Sequence, residues 1–98
     1  MSKYEHRRDW LLERINKEPY QYIFTSGAVA DEFSERFGLS LNVYTVGCNN
    51  CPAMTRTLRR MASEGLVVKS TGGNQDAAAY QQKTYYTSYR LTKKPRSN

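Results

Sequence analysis

Apolar residues along this chain recur at helical spacing in three places and alternate in two, with polar punctuation between them. In 3–16, "KYEHRRDWLLERIN", Tyr4, Leu11 and Ile15 fall on one face, with Trp10 and Leu12 beside it and charges opposite. That pattern predicts an amphipathic helix. "KEP" (17–19) ends it, because a residue before proline is pushed away from helical angles, and "YQYIF" (20–24) follows as a short β-prone run. In "FTSGAVADEFSERFG", Val29, Phe33 and Phe37 repeat every four residues with Ala30 alongside, predicting a second helix. Thr25 is its expected N-cap, Phe24 and Val29 stand at the positions of a hydrophobic staple, and Gly38 supplies a left-handed stop. Asp31, Glu32 and Glu35 are left to water.

A long, mostly apolar or β-branched connection, "LSLNVYTVGCNN" (39–50), leads to a third helix over 51–64. Pro52 occupies its first position, where the missing amide costs nothing. Met54, Leu58 and Met61 form the buried stripe, Gly65 ends the helix, and Thr55, Arg56, Arg59, Arg60 and Ser63 lie on other faces. Two strands follow, 66–71 and 84–92. In the second, Tyr85, Thr87, Tyr89 and Leu91 share one face and Tyr86, Ser88, Arg90 and Thr92 the other. Tyr85 and Tyr89 are expected in the core, with Tyr80 and Tyr86 exposed. Joined through the polar loop 72–83, the strands make an antiparallel hairpin with a long tip. The expected architecture is α+β, one domain over 1–92, with 93–98 a basic disordered tail.

Composition narrows the class. Ninety-eight residues suffice for one small core and not for two. The net charge of +6 is unevenly spread: residues 48–98 carry nine basic side chains against Glu64 and Asp76, +7, whereas 21–47 carry −2. A positive half of this kind suits a polyanion. No apolar run approaches a membrane span, and nothing apolar follows the charged N-terminus as a signal peptide requires. The expected setting is cytoplasmic, with reduced cysteines. No nucleophile–base set is apparent, and "TGGNQ" lacks the helix that a phosphate-cradling loop needs. An enzyme, a cofactor and a small-molecule substrate are therefore not expected.

"CNNCPAMTRTLRRM" (48–61) opens like a redox or zinc motif and continues as an arginine-studded helix. A tetrahedral zinc site needs four ligands, and the chain offers Cys48, Cys51 and the distant His6, so zinc would have to bridge two chains. A thioredoxin-like site would need a surrounding βαβ scaffold, although a cysteine at a helix N-terminus beside basic residues also suits a redox sensor. The leading expectation is that both cysteines pack the start of the third helix.

The order helix, short strand, helix, helix, hairpin resembles the winged helix-turn-helix DNA-binding domains of small bacterial and phage regulators. "FTSGAVADEF" looks like the first helix of the motif, "MTRTLRRMASEGLVVKS" like the second running into a strand, and "TSYRLT" like the returning strand. The resemblance covers about residues 3 to 92. It departs from the family at 39–50, where a turn of a few residues is usual, so an added strand or partner surface is expected over 39–47. It implies three helices with a C-terminal two-stranded hairpin wing. Helix 51–64 would enter the major groove of double-stranded DNA, and hairpin 66–92 would lie along the backbone. Thr55, Arg56, Arg59 and Arg60 then become base-reading residues, and Asn49 and Asn50 contact phosphate or adenine. Lys69, Lys83 and Arg90 would bind phosphate. The implied role is sequence-specific transcriptional regulation, with a homodimer expected because one module offers limited area. A protein-protein adaptor, docking through "LSLNVYTVG", and a DNA-bending or recombination accessory factor are the alternatives.

Overall fold

Ser2 opens helix α1, Lys3–Lys17, with a reciprocal cap: its hydroxyl accepts from the Glu5 amide at 3.1 Å, and the Glu5 carboxylate accepts from the Ser2 amide at 2.9 Å. Two orphan amides of the first turn are thereby satisfied. The computed structural model describes residues 2–43, 49–73 and 85–92. Over these the chain runs α1, strand β1 (Tyr22–Phe24), helix α2 (Ala28–Phe37), strands β2 (Asn42–Val43) and β3 (Asn49–Asn50), helix α3 (Pro52–Ser63), and strands β4 (Val67–Gly73) and β5 (Tyr85–Leu91). It is a small α+β structure, three helices with an antiparallel sheet. Among the described residues no helix is long and apolar enough to cross a membrane.

The expected two-stranded hairpin is part of a three-stranded sheet in the order β1-β5-β4. β1 pairs with β5 in the register Tyr22 to Arg90, Ile23 to Tyr89 and Phe24 to Ser88. β4 pairs with the opposite edge of β5, with Val68 opposite Arg90 and Lys69 opposite Tyr89. Inward-facing Ile23, Tyr89 and Val67 meet Leu11 and Ile15 of α1, Phe33 of α2, and Met54, Leu58 and Met61 of α3 in one core. The helical stripes expected from spacing are the ones buried, except that Tyr4 and Phe37 are only partly so. Trp10 meets Phe33 edge-on at 5.6 Å between ring centroids, and Phe37 at 6.2 Å. Truncating the fully buried Phe33 to alanine would cost about 3–5 kcal/mol, a large share of a small domain's stability.

The start of α2 differs from expectation. Thr25 is not its N-cap, because the Thr25 amide donates to the Thr87 carbonyl at 3.1 Å and so continues the sheet. Ser26 then bridges to Asn50, and the helix begins after Gly27, whose φ of 95° is one that few side-chain-bearing residues adopt. The staple is lost for the same reason: Phe24 lies on the outer face of the sheet, while Val29 is in the core. At the other end of the motif, α3 closes with paired bonds from the Leu66 amide to the Met61 carbonyl (2.9 Å) and from the Gly65 amide to the Ala62 carbonyl (3.0 Å). Gly65 takes the required left-handed φ of 79°. The long connection contains the added strand that was expected, β2, paired with β3 as a short ladder. Residues 44–48, with Cys48, and 93–98, the expected tail, lie outside the described residues.

One buried group lacks a partner. The Tyr89 hydroxyl is enclosed with no hydrogen-bond partner among the described residues. Such a group costs roughly 1–3 kcal/mol. Tyr89→Phe is therefore expected to raise the unfolding free energy by about 1 kcal/mol and Tm by about 4–8 °C. Thermal and urea melts measure this, and a fall in both would mean that the hydroxyl is bonded in solution.

Candidate nucleic-acid interface

Burial of one side of α3 decides what its other side can present. Ala53, Met54, Thr57, Leu58 and Met61 are in the core, and Thr57 is satisfied there by donating to the Ala53 carbonyl at 2.8 Å. With that stripe fixed, Arg56 and Arg59 project into solvent. Neither has a carboxylate partner among the described residues, and nor do Lys3, Arg7, Arg36, Lys69 and Arg90, whereas Arg8, Lys17 and Arg60 each have one and Arg14 has two. Thr55, beside them, is half-buried, and its hydroxyl leans toward the Cys51 carbonyl at 3.5 Å.

Arg60 is engaged differently from its neighbours. Its guanidinium stacks over the Tyr4 ring of α1, 3.8 Å from the centroid, and its Nε lies 3.3 Å from Glu64 Oε2. Tyr4 in turn donates its hydroxyl to the other Glu64 oxygen. Ring, carboxylate and guanidinium thus form a closed set that pins Arg60 to α1. Burial and the bond to Glu64 push the Tyr4 hydroxyl up to about 12. The same bond holds the Glu64 carboxyl below its usual range, with Arg60 adding to the effect. Neither Tyr4 nor Glu64 was singled out from the sequence as a site residue.

The asparagines before α3 serve its attachment. The Asn49 side-chain amide donates to Asp31 Oδ1 at 3.0 Å, and the Asn49 backbone carbonyl accepts from the Gly27 amide at 2.9 Å, so Asn49 joins β3 to the start of α2. Asn50 pairs with Asn42 and bridges to Ser26. On the sheet, Lys69 and Arg90 are both exposed but on opposite faces. Lys69 shares the helix-bearing face with Val67 and Tyr89, whereas Arg90 shares the outer face with Tyr22 and Val68. The structure brings Thr55, Arg56 and Arg59 together on α3 and does not bring Arg90 to Lys69. Lys83 and Tyr80 lie outside the described residues, as do the side chains of Tyr85 and Tyr86.

Cys51, the residue before α3, is a free thiol fully enclosed in the core, which agrees with a packing role and leaves it out of reach of a dissolved oxidant. His6 is exposed on α1. Among the described residues no group of three or more His, Cys, Asp or Glu is placed to hold a metal ion. No protein-family model, curated protein or solved structure matches this chain.

The Tyr4 set has a pH signature. A hydroxyl whose folded value is raised contributes stability below its unfolded value near 10, and that contribution is lost as pH rises toward about 12. The depressed Glu64 acts at the other end: its contribution is present above the ordinary carboxylate range and is lost as pH falls through the folded value. In titration followed by tyrosinate absorbance, Tyr4→Phe is expected to remove one tyrosine's amplitude from the change near pH 12. If that amplitude persists in the variant, the assignment is wrong.

Proposed function

We propose that this chain is a sequence-specific double-stranded DNA-binding protein of winged-helix type, acting in transcriptional regulation. The observation that carries the reading is the pair Arg56 and Arg59, exposed on the outward face of α3 with no carboxylate partner among the described residues. Arginine left unpaired at a surface is free to grip guanine edges or phosphate in bidentate fashion. Further support comes from the order of elements: a helix, a strand, a helix, a short two-stranded ladder, a third helix, then a strand pair whose last member also pairs with β1. In this reading α3 lies in the major groove, with Arg56 and Arg59 at base edges and Thr55 at their margin. Lys69, on the strand that leaves α3, meets phosphate. Arg60, held by Tyr4 and Glu64, supplies charge and does not read bases. Asn49 orients the motif through Asp31.

Selection of preferred duplexes from a random pool, followed by titration at two salt concentrations, tests the proposal. Binding is expected to weaken steeply with salt as counterions are released. Arg56→Ala is expected to cost about 1–3 kcal/mol on the preferred site and to flatten discrimination at one base position. Lys69→Ala should weaken preferred and random sequences alike and lower the salt slope by about one. If both variants lose equally on every sequence, α3 does not read bases. If no duplex binds, the proposal fails entirely.

A further inference from the structure

Among the described residues, most of the exposed large apolar side chains gather on the outer face of the three-stranded sheet. Tyr22 is 37% exposed, Phe24 41% and Val68 37%, and Tyr20 borders them at 82%. Single exposed apolar residues need no explanation, but a contiguous aromatic face does. Tyr22, Arg90 and Val68 form one cross-strand row, so a guanidinium sits between an aromatic ring and an aliphatic side chain. The next row is Phe24, Ser88 and Ser70, and the Tyr22 and Phe24 rings meet edge-on at 5.3 Å. Beside the free edge of β1, and apart from this face, opens a pocket of about 370 Å³ walled by Tyr20, Tyr22 and Phe24 on one side and by Arg14 of α1 and Ala28 and Val29 of α2 on the other. Its carboxylate, Glu18, is taken up by Arg14.

We infer that this face is a second binding site, for unpaired nucleotides of a single-stranded nucleic acid, with a base on Tyr22 and an adjoining phosphate at its cross-strand neighbour Arg90. Flat aromatic rings accept any base, and a cation beside them tracks the backbone. The rows offer Arg90 and two serine hydroxyls and no carboxylate, on a chain of net charge +6. That complement fits a polyanion carrying planar groups. A second copy of the chain seated face to face would instead bring a further Arg90 and the same excess charge, which opposes close approach. The site lies on the opposite face of the sheet from the helices and is independent of duplex reading by α3.

The probe is a short fluorescent oligothymidylate, with duplex DNA measured in parallel. The intact chain should bind the single strand, and Tyr22→Leu, which keeps apolar bulk but removes the ring, should weaken it about ten-fold, in the range for one lost stacked base. Tyr22→Phe, which keeps the ring, should bind as the parent does, and this separates stacking from a folding defect. Arg90→Gln should reduce the salt slope by roughly 0.7, the value for one phosphate of a single strand. Arg56→Ala should leave single-strand binding unchanged. The inference is overturned if the single strand does not bind, if Tyr22→Leu binds it as well as the parent, or if Arg56→Ala abolishes it. Sedimentation that reveals self-association abolished by Tyr22→Leu would also overturn it, assigning the face to a second copy.

Discussion

Three residue pairs between β1 and β5 hold this structure together: Tyr22 with Arg90, Ile23 with Tyr89, and Phe24 with Ser88. They fix which side of each strand faces the helices. Ile23 and Tyr89 go inward with Val67 to cover the apolar stripes of the three helices, and their neighbours are forced outward. A slip of β1 by one residue would turn Ile23 outward and drive Tyr22 and Phe24 toward the helices. The same pairing carries the chain through Thr25 and so delays the start of α2 until Gly27. The interior, the aromatic outer face and the placement of the second helix all follow from it.

A second level of organisation is electrostatic. Acidic residues are matched to three basic residues of α1 and to Arg60: Asp9 to Arg8, Glu18 and Glu32 to Arg14, Glu13 to Lys17, and Glu64 to Arg60. Exposed pairs of this kind add little stability. Their effect is distributional, since they spend the negative charge on one part of the surface and leave Arg56 and Arg59 unscreened. The sum over the chain says only that the protein is basic, whereas the allocation says where.

Much of the helical structure is legible in the sequence, because the buried side of a helix is set by residues within a few positions of one another. Leu11, Ile15, Phe33, Met54, Leu58 and Met61 therefore follow from spacing, as does the stop at Gly65. The errors arise where a distant segment decides a local outcome. Thr25 has the chemistry of an N-cap, but its amide is claimed by Thr87. Arg60 resembles Arg56 and Arg59 in sequence and is distinguished by Tyr4, which reaches Glu64 across 60 positions. Lys69 and Arg90 look like members of one phosphate-binding set until the register seats Lys69 opposite Tyr89, which turns Arg90 the other way. The exposed aromatic face was hidden for the same reason, since Tyr22 and Val68 become neighbours only through β5.

The position of β5 also bears on how the chain matures during synthesis. It is the middle strand of the sheet and the last of the three to be made, and β1 and β4 do not pair with each other. A nascent chain that has emerged only as far as β4 thus has β1 and β4 without the strand that joins them, with the apolar side chains of Ile23 and Val67 uncovered. Closing the sheet must then join segments far apart along the chain, a topology that folds slowly and leaves strand edges open to other chains meanwhile.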